Sequence, residues 1–310
     1  MTADPASTDP MAGLDPVWFL ELELTQRCQM RCPSLCYADA GPTKGHGTMT
    51  RADWEHLIDT APAAGITTVQ LIGGEATLHP DFLRLAEHAL GVGLSVQVYS
   101  NLMRVTARLW ELYSHPNLTL ATSYYSDVPA EHDRITGRAG SHAATRANIV
   151  AALERCIPLK VAIVDLGEGG QRAQEAGAEM IALGVRRVGP VDRVRAVGRA
   201  TGHLRKEPSV GELCGQCGDG RAAVSWDGDV RMCVLSRFLP SAGNVRATPL
   251  AGILNGATWH DLLAQVPRQR DSECQPASDS NDCKPAETIC EGNALMLPVP
   301  VPRMPEAGNR

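Results

Sequence analysis

Six short apolar runs alternate with stretches of helical pattern between residues 19 and 188, and that rhythm leaves few choices of fold. The runs are 19–24, 67–72, 94–99, 118–123, 159–164 and 185–188. Each has the length and pattern of a strand, and 19–24 alternates before it runs apolar. Thr50 opens the first helix, which carries Trp54, Leu57 and Ile58 on one face and Asp53 three residues after the cap. Further helical patterns cover 79–89, 109–113, 145–155 and 171–183. Strict alternation predicts an α/β fold, a parallel sheet wound with helices. The polar motifs fall after the strands and before the helices. That is the carboxyl edge, where such sheets place their chemistry.

After residue 201 the texture changes to Gly, Asp and Cys. Residues 222–226, then Asp227-Gly228, then 230–233 predict a hairpin with a tight Asp-Gly turn. A short helical region at 249–265 follows. From 267 the chain is polar and irregular, and beyond 296 it is Pro-rich.

The bulk numbers exclude some partners. A net charge of −6 gives no basic footprint for nucleic acid or an anionic membrane. No apolar stretch reaches the length of a membrane span, and the first residues lack the pattern of a signal peptide. Ten cysteines are therefore expected in a reducing, cytoplasmic setting, where clustered thiols favour metal or catalytic roles over disulfides.

Cys28, Cys32 and Cys36 stand directly behind the first run. Three thiolates on one loop can hold three irons of a 4Fe–4S cube and leave the fourth iron open to a ligand. Zinc is the alternative, but it usually takes ligands in pairs two residues apart plus a fourth. Here the gaps are three and three. Gly73-Gly74-Glu75 follows the second run. Glycines let a ligand approach the backbone, and the carboxylate can accept from an ammonium group. Ser100-Asn101 follows the third run and Ser123 ends the fourth.

With these residues in place, the chain resembles the radical S-adenosylmethionine (radical SAM) superfamily. The first cysteine loop is one residue longer than the usual Cys-x3-Cys-x2-Cys, with Leu35 in the apolar slot and Arg31 and Tyr37 as flanks. Gly73-Gly74-Glu75 looks like the family's Gly-Gly-Glu motif, with Ala76 in place of a proline. Ser100-Asn101 and Ser123 resemble its cofactor contacts. The resemblance thus implies Cys28, Cys32 and Cys36 as cluster ligands. It implies Tyr37, Gly73, Gly74, Glu75, Ser100, Asn101 and Ser123 as cofactor-binding residues. His132-Asp133-Arg134-Ile135-Thr136-Gly137 resembles a His-Asp-x-x-Arg-Gly stretch of relatives, with Thr136 where arginine is usual; a helix-start role is the plain alternative.

A second cysteine group, Cys214, Cys217 and Cys233, could be a zinc ribbon. It also resembles the start of a SPASM or twitch domain, which holds auxiliary iron–sulfur clusters. Cys274, Cys283 and Cys290 depart from the usual spacing, and one of them is expected to complete an auxiliary cluster. Cys156, late in a helix, is expected to be a buried small apolar residue. The implied architecture is a partial (β/α)6 TIM-like barrel with a small Cys-rich SPASM/twitch-like domain. Its parts are a disordered 1–16, a radical SAM core at 17–205, an auxiliary domain at 206–292 and a disordered tail at 293–310.

The resemblance implies reductive cleavage of S-adenosylmethionine to a 5′-deoxyadenosyl radical, which abstracts hydrogen from a substrate C–H bond. A flavodoxin or ferredoxin reductant is expected. The expected substrate is a ribosomally made peptide. Few residues precede the first strand, so a separate recognition protein or direct docking would present it. Dehydrogenation of a small biosynthetic intermediate is the alternative, and a non-catalytic zinc- or cluster-stabilised scaffold is the alternative outside enzymes. Val234 follows the hairpin cysteine where sulfatase-maturing relatives carry an acid, and no catalytic acid or base is singled out. Tyr124 and Tyr125 are candidates for donors, with packing as the plainer role.

Overall fold

The structure is a computed structural model that describes residues 14–267. The expected disorder at 1–16 (but for its last residues) and at 293–310 lies outside the described residues. So do Cys274, Cys283 and Cys290.

Six parallel strands are laid down in chain order: β1 Phe19–Thr25, β2 Thr68–Gly73, β3 Ser95–Tyr99, β4 Leu118–Tyr124, β5 Leu159–Asp165 and β6 Arg187–Arg193. Between them lie helices α1 Arg51–Thr60, α2 Phe82–Gly91, α3 Ala107–Tyr113, α4 Pro129–Thr136, α5 Ser141–Glu154 and α6 Ala173–Ala182. The α1 start is as the sequence predicts: Thr50 and Asp53 form a reciprocal capping box, and Trp54, Leu57 and Ile58 are buried.

Pleating sorts the strands into two faces. One carries Leu20, Leu22, Leu24, Val69, Leu71, Val96 and Val98, which join the helices in one large core. The other face is buried but polar. Glu21 is level with Gln70, and Gln70 with Gln97, and the Gln70 amide donates to the Gln97 carbonyl at 2.5 Å. A run that is apolar on one face and polar yet buried on the other belongs to a sheet curved around a working interior.

The short helix α7, Ala200–Leu204, leads to β7 Arg221–Val224, β8 Asp229–Arg231 and β9 Gly243–Asn244, then α8 Leu250–Leu254 and α9 Ala257–Ala264. The hairpin is where the sequence predicts it, but it is not a separate sheet. β7 pairs in parallel with β1, giving the order β6-β5-β4-β3-β2-β1-β7-β8-β9. The expected domain boundary thus falls inside one continuous sheet. Every residue of β1 is buried, so its free edge needs a covering strand.

Three expectations are corrected. β6 is 187–193 rather than 185–188, because Val185 is spent burying the end of α6. Cys156 is exposed, with φ 55°, in the turn between α5 and β5; it is no core residue. His132 and Asp133 lie inside α4 rather than at its start, and the helix-start role falls to Asp133 alone, whose carboxylate accepts from the N–H groups of Gly140 and His142 at the start of α5.

Candidate functional site

The cysteine loop leaves the carboxyl end of β1 and is fastened from several sides. Cys28 N–H donates to Gly41 O at 3.2 Å, Arg31 N–H to Thr136 O at 3.2 Å, and Arg199 N–H to Cys36 O at 3.0 Å. The extra residue of the loop is taken up in a turn at 33–35, and Leu35 tucks against Tyr125, Ile135 and Val164.

Gly198 shows how close this packing is. It has φ +61°, and a Cβ there would stand 2.4 Å from the carbonyl oxygens of Cys36 and Tyr37. Gly198→Ala is expected to destabilise the protein by at least about 1 kcal/mol and to lower the iron kept after reconstitution. Thermal midpoint and iron content measure this; no change in either would remove Gly198 from this account.

One cavity at the carboxyl end of the sheet, about 640 Å³ including its mouth, gathers most of the expected site. Cys28, Cys32, Cys36, Tyr37, Gly73, Gly74, Ser100, Asn101 and Ser123 all line it. Cys28 Sγ accepts from Met30 N–H at 3.4 Å and from the Asn101 amide at 3.8 Å, and Cys36 Sγ accepts from Ala40 N–H at 3.3 Å. Burial pushes the Cys28 thiol up to about 12, and the Glu75 charge adds to it. Ser123 Oγ shares a hydrogen bond with the Tyr99 hydroxyl at 3.0 Å.

Glu75 stands behind these residues. It does not line the cavity. Its Oε1 accepts from the Thr77 N–H and hydroxyl and from the Ser100 hydroxyl at 2.9 Å, and its Oε2 accepts from Asn101 N–H at 2.8 Å. The carboxylate ties the turn after β2 to the turn after β3 and so places Ser100 and Asn101. The close approach at Gly74 is likewise internal. A Cβ there would meet Arg27 O at 2.6 Å, so what the missing side chain admits is the cysteine loop.

Met30, Tyr99 and Thr145 also line the cavity and were not singled out from sequence. Tyr99 had a signal, being the last strand residue before Ser100. Thr145 had none: it sits in α5 and reaches the site by donating to Asn101 O at 2.8 Å.

The second cysteine group also comes together. Cys217 Sγ and Cys233 Sγ are 3.8 Å apart. A hydrogen bond from Cys217 pulls the Cys214 thiol down against its burial, with Arg221 and Arg195 helping, while Cys217 itself is pushed up. The segment after Cys233 docks on β1. Val234 N–H donates to Glu21 Oε2 at 3.1 Å, and Arg237 donates to Glu23 Oε1 at 2.5 Å. The Arg237 guanidinium also stacks over Tyr37 at 5.1 Å and Trp226 at 5.0 Å. Burial pushes the Glu23 carboxyl up, and Arg237 and Arg231 pull it back.

Among the described residues no three His, Cys, Asp or Glu side chains converge on a point suited to a single metal ion. Cys28, Cys32 and Cys36 instead edge one cavity, which suits a cube that takes each thiolate at a different corner. Their soft donors and the N–H groups aimed at sulfur fit an iron–sulfur cluster.

Comparison with known proteins agrees with this geometry. The radical SAM superfamily matches residues 22–173, and SPASM, an iron–sulfur cluster-binding domain, matches residues 205–284. The PqqA peptide cyclase of Xanthomonas campestris pv. campestris is 30% identical over 55% of this chain and 47% of its own. The sporulation killing factor maturation protein SkfB of Bacillus subtilis is 27% identical over 58% of this chain and 43% of its own. The chain thus spans about half the length of these curated relatives, and less of some others. Streptococcus suis SuiB bound to S-adenosylmethionine has the same fold, with a TM-score of 0.65 at 13% identity over 83% of this chain and 70% of that one. A radical SAM domain works with a 4Fe–4S cluster and S-adenosylmethionine, and a SPASM domain with auxiliary iron–sulfur clusters. With the first signature over its strand–helix part and the second over its cysteine-rich end, this chain belongs to the radical SAM superfamily and carries a SPASM domain.

Proposed function

We propose that the chain is a radical SAM enzyme that modifies a ribosomally made peptide. The carrying observation is the single cavity that brings three thiols, Gly73, Gly74, Ser100, Asn101 and Ser123 together at the sheet's carboxyl end. In this reading Cys28, Cys32 and Cys36 hold the cofactor's cluster. Cys214, Cys217 and Cys233, with a ligand from beyond residue 267, hold an auxiliary one. When bound and reduced, the first cluster supplies the electron that cleaves S-adenosylmethionine to methionine and a 5′-deoxyadenosyl radical. The protein's part is to bind, orient and keep out water. Asn101 steadies the Cys28 sulfur, Ser123 and Tyr99 offer hydroxyls to the cofactor, and Glu75 holds the Ser100-Asn101 turn.

The peptide substrate is supported by the relatives, which are named as a peptide cyclase and a peptide-factor maturation protein. A net oxidation of the substrate, with a flavodoxin or ferredoxin as electron donor, is the form of chemistry proposed. None of the seven described cysteines is in a disulfide, which supports a cytoplasmic setting. Among the described residues no helix is long and apolar enough to cross a membrane.

The test is anaerobic reconstitution of the full chain with iron and sulfide, then reduction with S-adenosylmethionine present. The expected result is a brown protein that forms 5′-deoxyadenosine. A colourless zinc protein that leaves the cofactor intact would overturn the reading.

A further inference from the structure

His132 lines the same cavity as the three thiols, and it is 1% exposed. Its surroundings decide which ring nitrogen carries the proton. Nδ1 is 3.0 Å from Ser141 Oγ. Ser141 has one proton and three polar neighbours: His132, Thr136 Oγ1 at 2.6 Å and Asp133 Oδ1 at 3.0 Å.

The Asp133 carboxylate can only accept. Burial works against its charge, but the N–H groups of His142 and Gly140 and the Ser141 hydroxyl outweigh that and hold its carboxyl below the usual range. The Ser141 proton therefore goes to Asp133. Ser141 Oγ is left to accept from His132 Nδ1–H, and the Thr136 hydroxyl, which also faces the His132 carbonyl at 3.0 Å, asks for no second Ser141 proton. The tautomer assigned by this network is Nδ1–H, and Nε2 keeps a bare lone pair.

That lone pair has no partner among the described residues. Burial, and the nearby His142, hold the ring's pKa down near 4, so it stays neutral at physiological pH. The rings of Tyr124, Tyr125 and His142 pack 5.0, 5.4 and 5.5 Å away and fix its plane. A buried acceptor without a donor is costly. A held, neutral, unpartnered acceptor on a cavity wall has the form of a ligand contact.

We propose that His132 Nε2 accepts a hydrogen bond from an uncharged donor on the nucleoside of the bound cofactor, a ribose hydroxyl or the adenine amino group. This rests on the reading of the cavity as the S-adenosylmethionine site. The cofactor's ammonium is a poorer match, because a neutral imidazole in a buried setting does not balance a charge. His132 is then a binding and positioning residue. Asp133, which caps the start of α5, also sets the tautomer through Ser141.

Binding, measured by calorimetry on the reconstituted enzyme without reductant, tests this. The probes are S-adenosylhomocysteine and its 2′-deoxy, 3′-deoxy and N6,N6-dimethyl forms. His132→Asn keeps a donor near Nδ1 but loses the Nε2 acceptor, and His132→Gln keeps an acceptor there. Wild type is expected to lose roughly 5- to 20-fold in affinity with one analogue. His132→Asn should lose as much with the parent compound and nothing further with that analogue, and His132→Gln should recover part. Parent affinity unchanged in His132→Asn, or the analogue's penalty undiminished there, would overturn the proposal. Should His132→Asn lose its circular dichroism or iron, the wild-type series decides, and no loss with any analogue is a refutation. Failure of wild type to bind the parent at all would instead sink the cofactor-site reading, and this inference with it.

Discussion

Replacing Cys28, Cys32 and Cys36 together by Ala is expected to remove about four irons per chain and to reduce 5′-deoxyadenosine formation to background. The three sulfurs edge one cavity, and two of them already accept backbone N–H bonds. The remaining iron should stay with the group around Cys214, Cys217 and Cys233, none of which lines that cavity. Iron analysis, visible absorption and product detection on the same sample separate the two sites. Cofactor cleavage that survives in the triple variant would show the assignment to be wrong. Loss of all iron together would show that the two cysteine groups load as one.

The second large effect is expected at a position with no place in the cofactor cavity. Arg237→Met should cost about 3 kcal/mol of stability, because it strands the Glu23 carboxylate in the middle of the sheet. Glu23 is fully buried, whereas Arg237 keeps some exposure. The damage therefore lies in the acid left behind, and adding Glu23→Gln should restore much of it. The pH dependence has a definite sign. The folded-state pKa of Glu23 is already above its ordinary value of 4.5, and loss of Arg237 raises it further. The deficit relative to wild type should be full above the variant's raised pKa. It should shrink as pH falls toward 4.5, where the acid takes a proton in both states. Urea unfolding at several pH values measures this. A deficit that is flat with pH, or no rescue by the double variant, would move the cause elsewhere.

The parallel strands were legible because each keeps apolar residues at alternate positions between helical stretches, and because Thr50 and Asp53 mark a helix start by themselves. The cavity was legible because its thiols, glycines and small polar residues cluster at strand ends. What stayed hidden depended on a distant neighbour. Glu21 and Glu23 look like the solvent face of an ordinary strand until Arg221 and Arg237 arrive from the other end of the chain. The hold of Glu75 on Ser100 and Asn101 joins turns that lie 25 residues apart in the chain. α4, with only three buried residues in PAEHDRIT, carries no clear apolar stripe and reads as a loop motif. β6 is a half-exposed edge strand containing Pro190, so pairing with β5 sets its extent more than its own composition does.

The ladder between β1 and β7 has a consequence in time. Phe19 is among the first described residues to leave the ribosome, and its partner Arg221 comes after almost the whole barrel. Through that interval one edge of β1 has only water to bond. The cysteine loop at the end of β1 is then attached to a strand that is held on one side. Closing so long a loop is entropically costly and slow compared with forming the strand–helix units already made. Pairing with β7 thus completes the oldest strand late in synthesis, and the segment that follows brings Arg237 to Glu23.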